Sequence, residues 1–176
     1  MATQSGAAES TTERVADHTQ LAGRTARRLL LALLAVVVLL GASGLLGVHS
    51  AQVSDSANGF TVTLVYPQVA RGGLDVRWQV TVTHPGGFDA DIVLAVTADY
   101  FDLFETQGFH PTPDAETADA QFLYLTFTKP PSGEVFRVDF DAYIQPASQR
   151  GRSAELRLLV GGRTQVSVDY RTWLVP

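Results

Sequence analysis

Cysteine is absent from the 176 residues. That removes a disulfide framework, thiolate zinc sites, Fe–S clusters and a cysteine nucleophile from consideration. Methionine occurs only at Met1, so copper chemistry lacks soft ligands as well. Lys129 is the only lysine, Asn58 the only asparagine, and Ile92 and Ile144 the only isoleucines. Residues with AT-rich codons are thus scarce, which points to a high-GC, bacterial genome. Basic charge is also short: 13 Lys and Arg stand against 18 Asp and Glu, a net −5. Nucleic-acid binding rests on cations neutralising phosphates, so no nucleic-acid partner is expected. Neither a G-x-S-x-G elbow nor a G-x-x-x-x-G-K-[ST] loop occurs, and Gly72-Gly73 and Gly161-Gly162 read as turn glycines. The imidazoles His84 and His110 sit beside prolines without helical spacing. No catalytic residue, metal ligand or cofactor is therefore expected, and the chain reads as a non-enzyme.

What is abundant is apolar side chains, but not evenly. The mean hydropathy of +0.08 averages two materials. Residues 29–48, LLLALLAVVVLLGASGLLGV, carry no charge and as a helix would reach about 30 Å, the thickness of a bilayer's hydrocarbon core. Residues 1–28 are small and polar, too poor in apolar groups to fold, and read as a disordered tail. Arg24, Arg27 and Arg28 precede the apolar run, and no Arg or Lys follows it until Arg71. The positive-inside rule then places the N-terminus in the cytoplasm and the chain from about His49 outside the cytoplasmic membrane. A cleaved signal peptide is the competing reading, with Val48-His49-Ser50 as its small-residue site. Against it, the leading segment is long and the apolar run exceeds the roughly 7–15 residues of a signal's h-region. Gly41, Ser43, Gly44 and Gly47 form a candidate helix-packing face, Ser43 and Gly47 having small-xxx-small spacing.

All sixteen aromatics lie from Phe60 onward. Leu74, Val76, Trp78, Val80 and Val82 alternate with polar residues, the period of a half-buried strand. FTVTLVY (60–66) and VFRVDFDAYI (135–144) repeat that period. Shorter runs at 91–97, 121–128, 154–160 and 164–174 bring the count to seven strands. Prolines and glycines separate them, and Gly161-Gly162 marks a two-residue hairpin. In TADYFDLFETQG, aromatics spaced by three predict a helical turn with Asp99 near its N-cap and Gly108 as its stop. FHPTPDAETADA then reads as an acidic crossover loop. The expected fold class is all-β, a seven-stranded Ig-like β-sandwich over 59–176, joined by a stalk at 49–58 to one transmembrane helix at 29–48.

The order DVRWQVTVTHPGG, DIVLAVT, YFDLF, FLYLTFT, PPSG, EVFRVDFDAYI resembles the Ig-like β-sandwich modules of bacterial surface proteins, the DUF11 and CARDB type. The resemblance covers most of the domain. It departs at the turn, where His84-Pro85 replaces the usual asparagine, and at the end, where YRTWLVP replaces a glycine-rich tail. It implies a non-catalytic structural or adhesive module with no active-site residues to carry over.

Acidic groups are read as solvated: Asp139 and Asp141 on one strand face, Asp89 and Asp91 about a turn, and Asp114, Glu116 and Asp119 in the crossover loop, none at EF-hand spacing. Trp78 shares parity with apolar neighbours and is expected in the core. Trp173 shares its face with Gln165, Ser167, Asp169 and Arg171, so it is the candidate partner surface, the alternative being a bend that turns it inward. Residues 49–176 hold nine basic and fifteen acidic residues, which predicts a domain standing off an anionic membrane. The expected partners are the lipid bilayer and a membrane or cell-envelope protein. The functional expectation is a single-pass membrane protein presenting its β-domain for protein–protein contact, or alternatively an accessory subunit of a membrane transporter, channel or enzyme complex.

Overall fold

The computed structural model describes residues 10–42, 47–105, 108–128, 130, 133–148 and 150–175, with side chains inside the helix described from residue 23. The chain divides into two compact units, Met1–Gly47 and Val48–Pro176. The first contains helix α1, Ser10–Ala42. Gly23–Ala42 is long and apolar enough to cross a membrane, and none of it is buried. One expectation changes. The tail expected to be disordered is helical from Ser10, because residues 10–28 contain no proline and carry several Ala and Arg residues, which favour helix. The described helix reaches Ala42, and residues 43–46 of the expected span lie outside the described residues.

The second unit contains β1 (His49–Ala57), β2 (Phe60–Arg71), β3 (Asp75–Thr83), β4 (Ile92–Thr97), a 3₁₀ helix (Ala98–Leu103), β5 (Phe104–Glu105), β6 (Phe109–His110), β7 (Ala115–Ala118), β8 (Phe122–Phe127), β9 (Val135–Ile144), β10 (Arg152–Val160) and β11 (Arg163–Val175). The strands run in the order β5-β9-β3-β2-β11-β10-β4-β8-β7, with β1 beside β2 and β6 beside β9. They form a curled half-barrel rather than a seven-stranded sandwich. All pairs are antiparallel except β11 with β2. In the middle of this order β11 joins β10 to β2. Residues from Arg163 to Thr172 pair with β10, with a register shift at Leu158/Leu159, and Trp173–Val175 then pair in parallel with Val69–Arg71. Seven of the eleven strands are those the alternation predicts, and four come from segments without it.

The largest departure is at 49–58, expected as a stalk. These residues form β1 and hairpin onto β2 through Asn58-Gly59, both at positive φ (54° and 82°), the conformation that two-residue hairpin turns require. Only Ala51 and Val53 lean on the core, so apolar alternation gives no signal. Side-chain hydroxyls contribute instead: Ser54 Oγ donates to Val62 O at 3.0 Å, and Ser56 Oγ lies 2.8 Å from Thr61 Oγ1. The β10–β11 hairpin turns on Gly161-Gly162 as expected, with Val160 opposite Arg163. The crossover segment is also less irregular than expected, since β6 and β7 lie within it.

The core is aromatic at one end. Trp78 is fully buried, with the rings of Phe101, Phe109 and Phe140 edge-on at 5.7, 6.3 and 6.3 Å. The 3₁₀ helix supplies Tyr100 and Leu103 to this core. Its N-cap is Thr97 without a side-chain cap bond, and it ends where Phe104 turns extended to join β9, short of Gly108. Asp99 does not cap the helix but meets Arg152. The buried polar groups form a relay. Thr172 Oγ1 donates to Pro67 O at 2.6 Å, so its single proton is committed. Tyr100 OH, 2.9 Å away, must then donate to it. Burial, partly countered by that bond, raises the Tyr100 hydroxyl well beyond its ordinary range. Trp78 Nε1 donates to Tyr170 OH at 3.4 Å.

Candidate functional site: the outer face around Trp173

Alternation along β11 sends Val166, Val168, Tyr170 and Thr172 inward and Ser167, Asp169, Arg171 and Trp173 outward. Trp173 is accordingly 50 % exposed, on the face its parity predicts. The guanidinium of Arg171 lies 3.6 Å from the centre of its ring, a cation–π contact between residues two apart on one strand face. Arg171 stands opposite Ser153, and Asp169 opposite Glu155. Thr97, Ser153, Glu155, Asp169 and Arg171 line a shallow depression here. Glu155 accepts two hydrogen bonds from Arg157, at 2.7 and 2.8 Å, and Arg157 lies over the Phe122 ring at 4.3 Å. That arginine bond holds the Glu155 carboxyl below the usual carboxylate range. Arg152 reaches Asp99 at 2.5 Å and Asp102 at 3.4 Å.

A second concavity opens where β2 leaves β3 after Val65 opposite Gln79. It is an open notch of about 450 Å³, lined by Val48, Ser50, Asp75, Arg77, Asp139 and Asp141 among others. Asp139 accepts from Gln79, and His110 Nε2 lies 3.1 Å from Asp141 Oδ2. His84 is elsewhere. It stacks on Phe60 at 4.2 Å and donates from Nδ1 to Gly87 O at 2.6 Å, which shapes its turn. Among the described residues, no three His, Asp or Glu groups are arranged to hold a metal. Asp119 accepts from the backbone N–H groups of Gln121 and Phe122, each at 2.7 Å, and from Tyr124 OH at 2.8 Å. Asp114 accepts from Thr128 N at 2.6 Å. These acids close their own loop.

No family model and no curated protein matches the chain. Among solved structures, it is similar to Pseudomonas fluorescens alkylpurine DNA glycosylase AlkC bound to DNA containing an abasic site analog. Identity is 14 %, the match covers 62 % of this chain and 28 % of that one, and the TM-score is 0.30. That neighbour is held on DNA, and the exclusion of nucleic acid drawn from net charge is withdrawn. Its physical basis was incomplete, because net charge does not describe how charge is distributed over a surface. A likeness of TM-score 0.30 carries no argument about the fold, activity or partners of this chain.

The structure describes two of the four helix-packing candidates. Gly41 lies in α1 with open space where a Cβ would project, Gly47 lies in a bend beyond the end of α1, and Ser43 and Gly44 lie outside the described residues. Sequence reasoning reaches Trp173 through parity but misses its Arg171 partner. The signal for that partner was the i, i+2 spacing on one strand face.

Proposed function

We propose that the chain is a single-pass membrane protein presenting a non-catalytic, Ig-like β-domain of the DUF11 and CARDB kind outside the cytoplasmic membrane, where it works by protein–protein contact. The observation that carries the reading is the exposed apolar surface of Gly23–Ala42, none of it covered by the chain's own residues. In water such a surface costs about 25 cal/mol per Å², whereas lipid removes the cost. Arg24, Arg27 and Arg28 on one flank only support an N-terminus in the cytoplasm. The β-domain has the attributes of a rigid presenting body. Its aromatic core is closed, no buried side-chain N or O atom among the described residues lacks a partner, and its outer face carries an exposed tryptophan. The test is site-specific photocrosslinking from Ser167, which points outward on β11, in cells expressing the full chain. The reading expects a discrete crosslinked protein in the membrane fraction. Recovery of the chain from the soluble fraction, or of lipid and solvent adducts alone, contradicts it.

A further inference from the structure

We infer that the outer face of β1, β2, β3 and β9 is a self-association surface on which a second copy of the chain packs, Arg137 of each copy lying over Asp139 of the other. The inference goes beyond the presenting role proposed above and does not depend on where α1 resides.

Alternation sends Val62, Leu64, Val80, Val82, Phe136 and Val138 into the core, so the residues between them form the outer face of these strands. Cross-strand pairing lays that face out in rungs. Ser56, Thr61, Thr83 and Val135 make one, and Ser54, Thr63, Thr81 and Arg137 the next. The third runs from Gln52 through Val65 and Gln79 to Asp139, and a fourth pairs Arg77 with Asp141. On β1, β2 and β3 the first three rungs carry no charge, in a domain with nine basic and fifteen acidic residues over 49–176. Most of their side chains are short hydroxyls. Ser54 lies 3.0 Å from Thr63 and Ser56 2.8 Å from Thr61, oxygen to oxygen, so covering these four leaves no donor unpaired.

Charge selects a second copy as the occupant. Most of an acidic domain repels its own copy, but this face carries both signs on one strand. Arg137 is exposed and takes no part in the ion pairs of the described residues. Asp139, two residues on, accepts from Gln79 and has oxygen capacity to spare. A two-fold axis between the Arg137 and Asp139 rungs runs β9 antiparallel over β9 and makes the face complementary to itself. Each Arg137 then meets the other copy's Asp139, and Thr81 lies over Gln79. Val135, 54 % exposed, comes over the Arg77–Asp141 rung, where Asp141 keeps its contact with His110. Asp75 and Glu105, which pair with Tyr143, lie beyond the contact. Four strands at about 4.8 Å and eight residues at about 3.4 Å cover roughly 500 Å² per copy. The total of about 1,000 Å² is the lower bound of a specific interface, so the dimer is weak and reversible.

The test uses the full chain in non-ionic detergent and a short bismaleimide. Because the chain has no cysteine, Thr81→Cys places one thiol beside the axis, and Ser167→Cys, outward on β11, places one outside the contact. The inference expects a crosslinked dimer from Thr81→Cys and little from Ser167→Cys. Adding Arg137→Asp should cut the Thr81→Cys yield roughly tenfold, whereas Arg137→Lys should keep most of it. The Arg137→Asp and Asp139→Arg proteins, each poor at crosslinking alone, should crosslink when mixed, because the mixed pair restores both contacts. A mixture that stays monomeric while both variants melt like the parent overturns the pairing with Asp139. Should Asp139→Arg fail to fold for loss of the Gln79 bond, Arg137→Asp decides alone. Equal yields from Thr81→Cys and Ser167→Cys, or a dimer that survives Arg137→Asp, overturn the inference in favour of association through α1 or another face. Absence of a Thr81→Cys dimer overturns self-association on this face and leaves the presenting role standing.

Discussion

Replacing Thr172 by valine keeps the side-chain volume nearly constant but removes one oxygen that holds two buried groups. Thr172 is fully buried, donates to Pro67 O at 2.6 Å and accepts from Tyr100 OH at 2.9 Å. Valine leaves both the carbonyl and the phenol unpaired, and an unsatisfied buried group costs about 1–3 kcal/mol, so the expected loss is roughly 3–4 kcal/mol. Tyr100→Phe removes only the outer donor, leaves the Thr172–Pro67 bond in place, and should cost about 1 kcal/mol. The asymmetry has a further consequence. In the valine background the phenol is already orphaned, so Tyr100→Phe should be neutral or stabilising, with a coupling energy of about 1–2 kcal/mol. The assay is urea denaturation of the full chain in non-ionic detergent, followed by tryptophan fluorescence, with midpoints and slopes fitted for the four members of the cycle. In a thermal scan the difference between the single variants would be roughly 10 °C. Equal costs for the two single variants, or strict additivity in the double variant, would refute the direction of the relay.

Two other perturbations follow from the same geometry. Asp119 accepts from two backbone N–H groups and Tyr124 OH, and these bonds lower its pKa. A depressed carboxylate contributes stability above its unfolded value near ~3.9 and loses it as pH falls through the folded pKa. Melting temperature should therefore drop below about pH 4, and Asp119→Asn should flatten that acid limb; parallel acid limbs in the two proteins would count against the assignment. At Gly151 an added Cβ would overlap Thr172 O and come within 2.8 Å of Trp173 Cα, so Gly151→Ala should lower stability by about 1–3 kcal/mol through displaced backbone. An unchanged urea midpoint would show that β10 and β11 do not approach so closely.

What could be read from residue order divides along physical lines. Alternation reports burial on one face, so β2, β3, β4, β8, β9, β10 and β11 were legible, as were Trp78 inward and Trp173 outward. β1 was not, because its nine residues place only Ala51 and Val53 against the core; hydroxyl bonds and the Asn58-Gly59 turn hold it. β5 and β6 are two residues each, too short to show any period. β7 is exposed throughout, and an edge strand without an inner face carries no apolar signal. The change of partner along β11 at Trp173, from β10 to β2, is a register event that no local pattern encodes. The Arg171–Trp173 contact lies between. The shared face was visible, but the guanidinium-on-ring contact was not. In the same way, net charge was legible while the meeting of Arg152 with Asp99 and Asp102 was a product of the fold.

The central claim is topological, that α1 crosses a membrane and the β-domain stands outside it. Because the chain has no cysteine, single substitutions report cleanly. Ser167→Cys, exposed on β11, and Ser10→Cys, at the start of α1, should be compared in intact cells expressing the full chain and treated with a membrane-impermeant maleimide. The account predicts that Ser167→Cys is labelled in intact cells and Ser10→Cys only after lysis. Labelling of Ser10→Cys in intact cells, with Ser167→Cys protected until lysis, would contradict it.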